Sequence, residues 1–205
     1  MRIIKFFLFA LGFILAACGA PETGTEIEAL NTTDWTLVST DSRLEFISVK
    51  KGTFVETHSF TDLSGMVLRN GVAKVIIHLN SLETNIDIRN ERMKKHLFET
   101  DRTDIAGVSA VLNLTQFEAM AIGARKDITL PISLIMHGNV MKMDIVMVVT
   151  RLGDNKVVVE SRTPFILDTD KFNFAPGILK LQELAKLNVI ATEVPVMFSL
   201  VFERG

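Results

Sequence analysis

The 205-residue sequence has no tyrosine, one tryptophan, one cysteine and five prolines. Each scarcity excludes something. A lone cysteine, Cys18, allows no internal disulfide, so the fold cannot be a small scaffold stapled by bridges. The four histidines (His58, His78, His96 and His137) show no metal-ligand spacing, and no metal site is expected. No basic stripe accompanies stacking aromatics and the formal charge is −2, so nucleic acid is not an expected partner. There is no Gly-x-Ser-x-Gly elbow, Cys-His pair or phosphate loop. No catalytic residue, enzyme activity or cofactor is therefore assigned. After the first seventeen residues no long apolar run follows, so no later segment is expected to span a bilayer.

The N-terminus is more informative. Arg2 and Lys5 precede an apolar run from Phe6 to Ala17, too short for the ~20 residues of a membrane-spanning helix. The run ends in Leu15-Ala16-Ala17-Cys18-Gly19, which resembles the bacterial lipobox. Small residues let a peptidase reach the backbone, and the thiol is the nucleophile that takes the diacylglycerol. The alternative is an ordinary secretory signal followed by a stray cysteine. Residues 1–17 are read as a signal peptide, Cys18 as the acylated first residue of the mature chain, and 18–33 as a flexible tether. Cleavage removes two positive charges and takes the net charge from −2 to −4. Gly19, where an inner-membrane lipoprotein often carries aspartate, points to an outer-membrane location facing the periplasm. Residues 34–205 remain as one domain, enough for a full core.

Alternation dominates that domain. Ile128, Leu130, Ile132, Leu134 and Met136 share one face, with Thr129 and Ser133 opposite. Met143, Ile145, Met147 and Val149 share another, while Lys142 and Asp144 start the opposite one. Val75, Ile77 and Leu79 oppose Lys74 and His78. Strands are read at 35–39, 43–50, 64–69, 72–79, 108–115, 127–136, 141–151, 156–167 and 193–202. Asn70-Gly71 is a hairpin signal, and Gly153-Asp154-Asn155 joins another pair. Two helices interrupt the pattern: 87–98, with Asp87 as N-cap, and 178–187, with Pro176-Gly177 before it as a breaker. The expected fold is mainly β, an antiparallel barrel of eight or so strands with two short helices, because closure removes the edges of a long meander.

Several segments, taken in order, resemble the YceI-like family. They are Trp35-Thr36-Leu37, Ser42-Arg43-Leu44-Glu45-Phe46, Asp62-Leu63-Ser64-Gly65, and Ser81-Leu82-Glu83-Thr84 leading to Arg89-Asn90-Glu91-Arg92-Met93. Leu134-Ile135-Met136-His137-Gly138 and Asp170-Lys171-Phe172-Asn173-Phe174 follow. Asn90 stands where the family usually has aspartate, and Leu97-Phe98 replaces a phenylalanine pair. The resemblance implies a lipocalin-like barrel that binds a long isoprenoid, a polyprenyl or quinone tail, in its interior. On that reading Val75, Ile77, Leu130, Ile132, Leu134, Met136, Met143, Ile145 and Met147 are candidate cavity lining. Arg89, Asn90 and Arg92 are candidates for a head group, or else form a solvated helix start linked to the barrel. A solid barrel with no ligand, serving as an envelope interaction module, is the alternative. Oligomeric state is not legible.

Overall fold

The computed structural model describes residues 33–204; the signal segment, Cys18 and most of the tether lie outside the described residues. The described residues form twelve strands: β1 (Thr33–Leu37), β2 (Arg43–Lys50), β3 (Phe54–Phe60), β4 (Leu63–Leu68), β5 (Val72–His78), β6 (Leu82–Glu83), β7 (Ile105–Val111), β8 (Arg125–Met136), β9 (Asn139–Arg151), β10 (Lys156–Ser161), β11 (Phe165–Asp168) and β12 (Glu193–Glu203). Three helices accompany them: α1 (Asp87–His96), α2 (Thr115–Glu118) and α3 (Ala175–Ala185).

Strand registers reduce the twelve to eight. β2 pairs with β3 through Leu44↔Phe60, and β1 with β4 through Thr36↔Met66, so β1–β2 and β3–β4 are two long bent strands. β5 and β6 likewise follow β4 and β3. β10 and β11 share β12 as a neighbour, with Glu160↔Ser199 before the bend and Phe165↔Val196 after it. Each bend is a short interruption, such as the 3-10 turn at Ser39–Asp41. With β7, β8, β9 and β12 these make an antiparallel meander of eight strands. It closes where β12 pairs with β1 through Leu37↔Phe202 and with β2 through Val196↔Phe46.

The longest hairpin, β8–β9, shows why these residues form strands. Its inward positions are the apolar set Ile128 to Met136, paired across to Met147, Ile145, Met143 and Met141. Outward positions alternate with them and are mostly exposed. Pro131 lies one residue beyond the last β7 partner, Ala110↔Ile132. One edge of β8 is unpaired there, which suits a residue with no N–H. The β4–β5 turn has Gly71 at φ +85°, and Asn70 Oδ1 accepts from the Val72 N–H at 3.0 Å. A side chain at Gly71 would strike the Leu112 carbonyl.

Four expectations are corrected. β3 was not anticipated, and there is a third helix, α2, where a strand was expected to run on to 115. The second expected helix starts earlier, at Ala175, with Pro176 and Gly177 inside it. Proline in the first turn leaves no hydrogen bond unmade. The glycine is required because a Cβ there would lie 2.4 Å from the His96 carbonyl oxygen of α1. Asp87 is the first helical residue rather than the cap, which is Ile86.

Candidate functional site

Inside the barrel lies a cavity of about 300 Å³. That is the lower end of the ~300–1,000 Å³ usual for ligand pockets. Inward faces of all eight composite strands line it, together with Leu97, Phe98 and Phe174 beside the two longer helices and Leu114 and Phe117 around α2. Nearly every lining side chain is hydrocarbon. Thr169 contributes a hydroxyl, already donated to the Thr192 carbonyl at 2.9 Å. A cavity so lined excludes water rather than holding it, because a buried water needs two to four polar partners. Its interior offers an apolar guest contact and no directional bonds.

Of the nine candidate lining residues, eight border the cavity: Val75, Ile77, Leu130, Ile132, Leu134, Met136, Ile145 and Met147. Met143 is the exception. It points inward opposite Ile132 but lies past Ser161↔Met147, the last β9–β10 pair. There it packs against the cluster of Ile132, Ile145 and Met147 instead. Alternation missed several lining residues from other strands, among them Trp35, Phe46, Phe60 and Val157. Their inward direction depends on where each bend falls, which no local pattern reports.

One end of the cavity is sealed. Phe98, Phe172 and Phe174 are at most 6% exposed, and Phe98 meets Phe60 and Phe174 edge-on at 5.5 and 5.6 Å. α1 and α3 lie over this end, in contact with each other.

Arg89, Asn90 and Arg92 do not border the cavity. Arg89 donates to Glu56 at 2.8 Å and to the Thr84 carbonyl at 2.5 Å. Asn90, 8% exposed, accepts from the Thr84 N–H at 2.9 Å and the Thr84 hydroxyl at 2.5 Å, while its amide donates to Glu83. Arg92 reaches the Leu184 carbonyl at 3.3 Å. These contacts pin α1 to β3, β6 and α3. They satisfy polar groups that the helix start would otherwise leave unpaired.

The layer behind α1 is charged. Ser48, Lys50, Glu56 and His58 share the inward parity of Phe46 and Phe60, on the part of β2–β3 that extends toward α1. Hydrogen bonds from Arg89 and then Lys50 hold the Glu56 carboxyl down at about 2. His58, 3% exposed, shares a 2.8 Å hydrogen bond with Ser48 and meets the Phe46 ring edge-on at 5.2 Å. Its Nδ1 has no partner. Burial first, then the positive charge of Arg89, pushes its pKa down to about 4, so the ring is neutral at physiological pH. His137 occupies the β8–β9 turn at φ +52°, with Nε2 2.8 Å from the Phe98 carbonyl oxygen. Among the described residues no group of His, Cys, Asp and Glu could hold a metal ion. No helix among them is long and apolar enough to cross a membrane.

The family model described as the YceI-like domain matches residues 35–202. A solved polyisoprenoid-binding domain from Saccharophagus degradans, implicated in plant cell wall breakdown, is 36% identical; the match covers 85% of this chain and 100% of that one, with a TM-score of 0.83. BcnA from Burkholderia cenocepacia is 17% identical over 80% of this chain and 98% of that one, with a TM-score of 0.62, a likeness of fold alone. No curated protein matches the chain.

Proposed function

This chain belongs to the YceI-like domain family, and on that premise we propose that it binds and carries a long apolar lipid of the isoprenoid type inside its barrel. The observation that carries the reading is the hollow, hydrocarbon-lined interior. A branched hydrocarbon chain needs space, apolar walls and nothing directional. Burying each methylene yields about 0.8 kcal/mol, so a five-carbon unit contributes roughly 3–4 kcal/mol at best. A few units then outweigh the cost of ordering the guest. Adaptable Met136 and Met147 in the wall suit a flexible chain. The similarity to a polyisoprenoid-binding domain supports the same guest class. The solid-barrel alternative lacks this support, because its premise is a filled interior.

The N-terminal reading completes the proposal. The lipobox-like Leu15-Ala16-Ala17-Cys18 supports a lipoprotein acylated at Cys18, and Gly19 favours the periplasmic side of the outer membrane. Binding, not catalysis, is the proposed activity. Stripped protein incubated with a polyprenol or long-tailed quinone, then passed through gel filtration, is expected to retain one guest per barrel. Failure to retain either would remove the carrier reading.

A further inference from the structure

The two ends of the barrel differ in closure, and one of them carries an excess of basic side chains. Opposite the sealed helical end, the cavity is covered by α2 and its flanks. β7 leaves β8 after Ala110↔Ile132, and half-buried Leu114 and Phe117 lie over the gap. Lys126 sits over the Phe117 ring and donates to the Gln116 carbonyl at 3.2 Å. Other segments gather at this end. Thr33 pairs with Leu68, the Leu112 N–H donates to Gly71, the Arg204 N–H donates to Asn155, and the Arg204 guanidinium covers Trp35 at 4.7 Å.

Segments 69–71, 112–126, 151–156 and 203–204 make up this end. With Asp41, which bonds Lys156 at 2.9 Å, they carry six basic side chains (Arg69, Arg125, Lys126, Arg151, Lys156 and Arg204) against four acidic ones, in a chain of net charge −2. At the helical end, segments 87–104 and 168–186, which include α1 and α3, balance eight acidic side chains with eight basic. Among the cations stand exposed apolar side chains: Val111 at 69%, Ile122 at 61% and Leu152 at 47%. Apolar tips within a basic ring match the interface of an anionic bilayer, where hydrocarbon enters between headgroups and each cation near the surface is attracted.

We propose that the α2 end of the barrel docks on an anionic lipid bilayer, so that the cavity faces the membrane. The docking stands on the surface itself; that a guest enters there rests on the carrier reading above. The chain's connectivity agrees. It joins the barrel at Thr33, at the α2 end, fifteen residues after Cys18. Fully extended, fifteen residues reach at most about 50 Å. A lipid on Cys18 would hold this end near the bilayer, while the charge-balanced helical end gains no net attraction to it. Attraction over a Debye length of about 8 Å then sets the orientation.

Vesicle flotation of the unlipidated mature chain, carrying Cys18→Ser, tests this. The protein is expected to float with phosphatidylcholine vesicles containing phosphatidylglycerol and to bind phosphatidylcholine alone roughly tenfold or more weakly. Added salt should release it. The double variant I122D/R125E should lose roughly tenfold in binding to the anionic vesicles, whereas Lys171→Glu at the helical end should not. Equal binding to both vesicles, no binding to either, or an equal loss from Lys171→Glu would overturn the proposal. Polyprenol uptake from detergent micelles, measured alongside, separates the two readings. Retained uptake with lost flotation in I122D/R125E supports docking as a separate step. Flotation by the parent chain without uptake would remove the carrier and leave the docking surface standing.

Discussion

Ala110→Phe places a benzyl group where the barrel is hollow. Ala110 lies on β7 opposite Ile132, borders the cavity and is half-buried. A phenylalanine buries about 150–250 Å² in all, and half of that at ~25 cal/mol/Å² is worth roughly 2–3 kcal/mol. Ordering the ring costs about 0.5–1 kcal/mol. In a hollow barrel the variant is therefore about 1–2.5 kcal/mol more stable when stripped of lipid. In a filled one it would be overpacked and lose about 1–3 kcal/mol. For a domain of this size each kcal/mol moves Tm by about 2–4 °C. Thermal and urea unfolding of delipidated protein reads the sign, and polyprenol retention reads the consequence. The space occupied by the ring is lost to the guest, so retention should fall. A destabilised variant, or a stable one with unchanged retention, would refute the reasoning.

Three further outcomes follow from particular contacts. Asn90→Ala strands two donors of Thr84, which is 2% exposed, and should cost about 2–3 kcal/mol in urea unfolding; a loss within error of zero would contradict the buried network. Gly177→Ala drives a methyl against the His96 carbonyl and should cost about 1–3 kcal/mol, whereas the exposed Gly138→Ala affects only its own turn. His58 titrates near 4 in the folded protein against about 6.5 unfolded. Below pH 6.5 the unfolded chain takes up a proton that the folded one refuses. Stability should therefore fall by about 3 kcal/mol between pH 6.5 and 4, and His58→Gln should flatten that window. Glu56, held down at about 2, adds a second loss as pH drops from 4.5 toward 2, which His58→Gln should leave in place.

The barrel was legible wherever one face of a strand was apolar and the other polar. β8 and β9 are the clearest case: their alternation yields the inward set and the C-terminal boundaries, while each strand starts two residues earlier than expected. β3 was not legible because Phe54, Glu56, His58 and Phe60 share one face. Only Phe60 of these meets the cavity, Glu56 and His58 lie in the charged layer behind α1, and Phe54 is exposed, so no period-two contrast survives. α2, four residues long, is too short to show a helical stripe. The bends in the composite strands arise from register between distant segments, so a single run at 156–167 was expected where the chain breaks into β10 and β11.

The candidate site was legible in part for the same reason. Pattern identifies inward residues, but not whether they meet across the barrel or leave room. Eight of the nine named residues border the cavity, while Met143 packs against Ile132, Ile145 and Met147 instead. The polar residues of α1 carried no sign in sequence of pointing to one another; Arg89 finds Glu56 thirty-three positions away. The basic cluster at the α2 end was equally hidden, because an overall charge of −2 averages it with acidic side chains elsewhere in the chain.

The most direct test of the hollow-carrier claim is organic extraction of the freshly purified protein followed by mass spectrometry. The account predicts a long-chain, largely hydrocarbon lipid in about one-to-one ratio with the barrel, reduced in Ala110→Phe. Lipid-free protein from several preparations, still unable to take up polyprenol or quinone, would contradict it.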